Sequence, residues 1–171
     1  GKSKKSFRLT VDEQEMQTVR FIFQEYLKNQ SLMGIVKYFL SRGIQTKRGN
    51  EYTTTAIRDI LTNPVYCTAD REAYDYFWNL GCQVCMEQED GTYGLIAYAK
   101  TSSTQYKNKN NSPEKWIVAK GRHPGIISGQ DFSKIQNLLA KNSSRGEGWH
   151  KPQNPVALLS GILHCSCGHL M

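Results

Sequence analysis

Apolar side chains recur at three- and four-residue steps through the first sixty residues, and that spacing predicts three helices. Met16, Val19, Ile22, Phe23, Tyr26 and Leu27 form one stripe. Thr10 followed by Glu13 reads as a capping box that starts this helix, which runs to about Lys28. Ser31 caps a second helix with Leu32, Ile35, Val36, Phe39 and Leu40 inward and Gly43 as its left-handed stop. The link between them is so short that the two must pack together. Thr53 caps a third helix with Ile57, Ile60 and Leu61 buried, ended by Asn63-Pro64 because a residue before proline avoids the helical region.

The third helix turns Thr54, Thr55, Arg58 and Asp59 away from that stripe. A short polar face with an arginine suits the major groove, where Arg forks onto guanine and Thr meets a thymine methyl. An ordinary solvated helix has the same pattern. Three helices ending this way suggest a helix-turn-helix-like unit, yet residues 43 to 52 intervene where the strict motif has three or four. The connection must be an enlarged loop or small hairpin, with Gly49-Asn50 as a turn presenting Lys47 and Arg48. Tyr52 is expected to pack in the core between this loop and the third helix.

Downstream the period changes. A short helix is expected from Asp70, with Tyr74, Phe77 and Trp78 on one side and Gly81 after it. Thr92 to Lys100 and Lys115 to Lys120 read as strands. Thr101 to Pro113, rich in Ser, Thr, Asn and Lys, reads as a flexible basic loop able to order on DNA. Ser128 caps a last helix carrying Phe132, Ile135, Leu138 and Leu139, and residues 142 to 155 read as a linker. The expected class is α+β: a helical, helix-turn-helix-like N-terminal unit, a small β-containing region, and a C-terminal helix.

The chain has 171 residues, with 22 Lys and Arg against 15 Asp and Glu, a formal charge of +7. Length allows one compact domain with part of another, and the charge favours a polyanionic partner. No apolar run reaches membrane-spanning length, and no apolar stretch follows the basic start, which disfavours a secretory route. The charge is uneven: residues 70 to 90 hold six acids against Arg71 alone, net −5, leaving +12 elsewhere. The excess concentrates at residues 37 to 58 (+4) and 100 to 122 (+5). Either stretch can equally be a solvated face.

Five cysteines cannot all pair within one chain, which points to a reducing compartment and to free thiols or metal ligands. Cys82 and Cys85 have the spacing of a redox dithiol or half a metal site, but the surrounding acids would raise the thiol pKa. Ordinary part-buried thiols are the plainer reading, and Cys67 is expected in the core.

The ordered succession Val19-Arg20-Phe21-Ile22-Phe23, Ile35-Val36, Gly43-Ile44, Thr46-Lys47-Arg48-Gly49 and Ile60-Leu61-Thr62-Asn63-Pro64-Val65-Tyr66 resembles the recombinase domain of large serine site-specific recombinases. His123-Pro124-Gly125-Ile126-Ile127-Ser128, with Asp131-Phe132 and Ile135-Gln136, is similar to that domain's end. Leu158-Leu159-Ser160-Gly161-Ile162-Leu163-His164-Cys165 looks like the start of the family's zinc-ribbon domain. The resemblance implies a recombinase domain over residues 1–141, with an insertion at 70–112, a linker at 142–157, and a truncated zinc ribbon at 158–171.

On that resemblance Thr54, Thr55 and Arg58 reach base edges of a double-stranded attachment site, while Arg42, Lys47, Arg48, Lys120 and Arg122 meet phosphates or a groove wall. His123 either joins them or is structural. Cys165 and Cys167 are half of a zinc site, spaced by one residue where the family has two, with His164 and His169 as possible substitutes. No cofactor is expected in the fragment, and zinc belongs to the full-length parent. The family's nucleophilic serine lies in a separate catalytic domain that nothing here matches, so no catalytic residue and no strand cleavage are expected. The abrupt start and the stop at Met171 suggest an excised piece of a self-associating, cytoplasmic parent of bacterial or phage origin. Two other readings compete: a protein-interaction module using the acidic segment with Tyr74, Tyr76, Phe77 and Trp78, and a small thiol or metal enzyme at Cys82 and Cys85.

Overall fold

The computed structural model describes residues 9–86, 91–103, 108–142 and 166. The chain divides after Leu138 into two units, and the first holds every element described here except the end of the last helix.

The three expected helices form as α1 (Glu13–Asn29), α2 (Leu32–Arg42) and α3 (Thr54–Leu61). The start of α1 differs from expectation. Asp12, not Thr10, is the cap, its Oδ1 accepting from the amides of Gln14 at 3.2 Å and Glu15 at 3.4 Å. A carboxylate is favoured at the positive end of a helix, and capping from position 12 puts Glu13 in the first turn rather than at the third position. Ser31 and Gly43 act as expected, Ser31 Oγ accepting from Gly34 N at 3.0 Å and Gly43 adopting φ 64°.

Ile22, Phe23 and Tyr26 meet Ile35, Phe39, Ile57 and Leu61 in a helical core from which water is excluded. Eight residues are too few for a stable isolated helix. Burial of Ile57 and Leu61, worth about 1.5–3 kcal/mol each, holds α3 in place, with the Thr53 cap accepting from Ala56 N at 3.1 Å. Leu40 departs from the expected stripe and is 47% exposed.

A 3₁₀ turn, Pro64–Tyr66, leaves α3 and leads to α4 (Arg71–Asn79). Phe77 of α4 is buried against Phe132 of the last helix, α5 (Gly129–Lys141), ring centroids 5.9 Å apart. Trp78 is not on the buried side as expected. It is 60% exposed and stacks on Tyr74 at 5.9 Å.

Three strands form one sheet in the order β1 (Gln83–Cys85), β5 (Ile117–Pro124), β2 (Tyr93–Tyr98), with β1 parallel and β2 antiparallel to β5. Two strands come from the 70–112 stretch, where Leu95 is fully buried. β1 was not expected, being too short to show alternation. The basic loop expected at 101–113 is instead built around a separate hairpin of β3 (Thr101–Ser103) and β4 (Asn108–Asn110). Asn142 and Ser166 are the only described residues of the expected linker and zinc-ribbon start.

Candidate nucleic-acid interface

Ile57 and Leu61 face the core, so the opposite side of α3 is fixed outward. Thr55, Arg58 and Asp59 are exposed, whereas Thr54 is half-buried on the flank. Thr62, just beyond the helix, donates its hydroxyl back to Arg58 O at 2.9 Å and so closes the last turn. The outward surface is therefore short, polar and made of small side chains around one guanidinium.

The α2–α3 connection is a small hairpin-like turn. Thr46 N donates to Asn50 O at 2.8 Å, Asn50 N donates to Thr46 Oγ1 at 3.1 Å, and Gln45 bridges Glu51. Gly49 sits at φ 75°, a conformation that favours glycine. Tyr52 ends the turn half-buried rather than in the core, its ring 4.9 Å from that of Phe39 in α2.

This turn carries Lys47 and Arg48 in different settings. Lys47 Nζ lies 3.0 Å from Glu15 Oε1 and 3.7 Å from Asp12 Oδ2, pinning the turn to the start of α1. The hydrogen bond that Lys47 donates to Glu15, together with the Glu15 and Asp12 carboxylate charges, raises the Lys47 pKa. Such an exposed pair is weak and exchangeable, so a phosphate contact by Lys47 requires leaving these carboxylates. Arg48 is exposed beside it. Arg42 lies over the Tyr38 ring at 5.4 Å.

The remaining predicted cations are on the sheet. Lys120 and Arg122 are two positions apart on β5; Lys120 is half-buried over the Tyr93 ring at 4.9 Å, and Arg122 is exposed. His123, between them and Pro124, is 8% exposed and structural. Its Nε2 lies 2.7 Å from Val65 O. A carbonyl only accepts, so the proton is on Nε2, while the buried Nδ1 has no partner among the described residues. Gly94 and Gly121 make room for the ring: a Cβ at Gly121 would lie 2.6 Å from it.

Lys100 and Lys109 belong to the basic 100–122 stretch but were not among the residues assigned to DNA contacts. Both stand in the hairpin region, Lys100 with its Nζ 5.6 Å over the Trp116 ring and Lys109 exposed on β4.

The described residues give the dithiol reading of Cys82 and Cys85 no support. The three cysteines of the described residues are free; Cys82 and Cys67 are buried and Cys85 is exposed on β1. Burial raises the thiol pKa of both Cys82 and Cys67, the reverse of an activated nucleophile. Among the described residues no group of three or more His, Cys, Asp or Glu is placed to hold a metal. Cys165, Cys167, His164 and His169 lie outside the described residues. No described helix is long and apolar enough to cross a membrane.

No curated protein matches the chain significantly in sequence. Among solved structures, one described as the crystal structure of an LSR–DNA complex is similar over 99% of this chain, at 18% identity and a TM-score of 0.45. The chain spans 41% of that one's length. A family model described as Recombinase matches residues 13–142, from the first residue of α1 to one residue past the end of α5. The chain belongs to the Recombinase family.

Proposed function

We propose that these residues are the DNA-binding recombinase domain of a large serine site-specific recombinase, with α3 entering the major groove of its attachment site. The observation that carries this reading is the outward face of α3, held by Ile57 and Leu61 and presenting Thr55 and Arg58 with Thr54 at the flank. Arg58 offers a bidentate fork to guanine and the threonines a methyl and a hydroxyl to neighbouring bases. Asp59 on the same face repels phosphate, so this side of the helix suits base edges better than backbone. An amino group of cytosine is its natural partner.

Arg42, Arg48, Lys120 and Arg122, with Lys47 once released from Glu15, supply the phosphate contacts that fix register. The reading assigns no strand cleavage to these 171 residues. Cutting, rejoining and self-association belong to the full-length parent, as does zinc, for which Cys165 and Cys167 would supply half the ligands.

Gel shifts with attachment-site DNA and scrambled DNA test the reading. Arg58→Ala is expected to lose site preference and keep non-specific binding. With these five phosphates neutralised, affinity falls roughly 500-fold between 50 and 200 mM salt. Unchanged preference in Arg58→Ala removes the base-reading assignment, and a flat salt response removes the phosphate assignments.

One observation favours a second role for the acidic segment. Trp78 is 60% exposed and stacked on Tyr74, whose other neighbour is the Arg71 guanidinium 5.4 Å from the ring centre. Exposed aromatics of this kind suit a protein contact, and sedimentation of Trp78→Ala in the full-length parent tests it.

A further inference from the structure

We infer that the β3–β4 hairpin is a second DNA-contacting arm, laid on the phosphates that flank the base pairs read by α3. The inference rests on the α3 reading above.

The composition of the hairpin gives it no reason to exist as part of a core. Thr101, Ser102 and Ser103 pair with Asn110, Lys109 and Asn108, and the two strands form a sheet of their own. The side chains of Thr101, Ser102, Ser103, Lys109 and Asn110 are all exposed. A two-stranded ribbon whose described side chains are all exposed gains little from burial and is marginal in water. Yet its base is fastened firmly. Asn111 N donates to Lys100 O at 2.8 Å, Asn111 Nδ2 donates to Ala99 O at 2.8 Å, and Trp116 Nε1 donates to Asn111 O at 3.2 Å. Ala99 holds φ 56°, a left-handed conformation that a non-glycine residue adopts at a cost. The base is built to aim a polar, cationic ribbon rather than to pack it.

Its position supplies the partner. β2 runs antiparallel beside the segment that follows α3: Leu95 N donates to Cys67 O at 3.1 Å, and Gly94 bridges Thr68. Going forward along β2 therefore means going back toward the 3₁₀ turn and the C-terminal end of α3. The hairpin springs from that end of β2. Lys100, at its root, feels the Asp59 carboxylate of α3, while burial lowers its pKa and leaves its charge poorly solvated. Hydroxyls, amides and ammonium groups on an exposed ribbon are donors for phosphate oxygens, and the duplex engaged by α3 is the polyanion within reach.

The test uses the full chain and attachment-site duplex. One variant is Lys109→Glu. The other replaces residues 101–110 by two glycines, which closes readily because Lys100 O and Asn111 N already touch. Thermal unfolding checks that both fold. Each is expected to weaken binding several-fold at all sequences alike, and Lys109→Glu to lower the slope of log affinity against log salt by about one. The excised chain is also expected to lose hydroxyl-radical protection on one flank of the footprint, with site preference kept. Folded variants with unchanged slope and footprint overturn the arm, and the α3 reading stands if Arg58→Ala still loses preference. Loss of site preference on excision also overturns it, since the hairpin then supports α3 instead of touching DNA. If the unmodified chain shows no DNA binding, the α3 reading itself fails.

Discussion

The Asp70 carboxylate joins two helix starts that are far apart in sequence: Oδ2 accepts Gly129 N at 2.8 Å, at the head of α5, while Oδ1 accepts Ala73 N at 2.9 Å in α4. Thr68 adds its hydroxyl to Oδ2 at 2.7 Å. One anion thus satisfies amides at two positive helix ends, and it brings α5 beside α4 so that Phe132 meets Phe77.

Asp70→Ala is therefore expected to destabilise by about 2–4 kcal/mol, more than a single lost cap, because it strands amides at both helices. Gly129→Ala should be comparably harmful, since its Cβ would fall on the Asp70 carboxylate and the Ala73 amide. Denaturant unfolding of both variants checks this, and a loss below 1 kcal/mol for Asp70→Ala would contradict the shared cap.

At His123 the fit is steric. Gly121→Ala pushes a methyl into the imidazole ring and is expected to cost about 1–3 kcal/mol, readable as a lower unfolding midpoint. Since the His123 ring is buried on Val65 O, the substitution should leave any DNA salt slope unchanged.

The two arginines nearest the proposed groove should separate in binding assays. Arg58→Ala should lose about 1–3 kcal/mol of discrimination at one base pair. Arg48→Ala should weaken all sequences alike and reduce the salt slope by about one. Identical behaviour of the two variants would contradict the division into base-reading and phosphate-binding groups.

Alkaline pH should unfold the chain. Burial, then the neighbouring Cys82 and Cys67, pushes the Tyr76 hydroxyl up to about 12 from an ordinary value of 10.0. Between these values the unfolded chain has released the proton and the folded one keeps it, so stability is complete below pH 10 and declines as pH rises toward 12. Cys67 and Cys82, both raised by burial from 9.0, start the decline earlier. Tyr76→Phe should flatten the upper part of the curve in denaturant melts run from pH 8 to 12.

Thiol labelling should order the cysteines by access. Residue-resolved mass spectrometry after brief alkylation is expected to find Cys85 modified and Cys67 and Cys82 protected until the chain is unfolded. Rapid modification of Cys82 would reopen the dithiol reading.

Much of the helical half was legible in the sequence because its signals are local. Ser31, Gly43 and Thr53 act within four residues of themselves, and the Ile57/Leu61 spacing alone assigns the outward side of α3. Asp12 was missed as a cap because Thr10 offered a competing one, and several side chains in that stretch can satisfy the same amides. The family resemblance was carried partly by the same local stretches and partly by residues 123–136 and 158–165.

The rest required tertiary structure. Three-residue strands such as β1 and β3 have no period to read; they exist because β5 and β4 pair with them. Trp78 shares Tyr74's side of α4, and only the placement of Phe132 decides that Phe77 is buried and Trp78 is not. Lys47 and Arg48 are adjacent in sequence, yet only packing brings Glu15 to the first. By itself, then, the sequence determined the three N-terminal helices, the Ser31 and Thr53 caps and the polar face of α3, through interactions within a few residues. Tertiary structure decided which cations are already paired and where the polar hairpin stands, because both depend on groups that meet only when distant segments fold together.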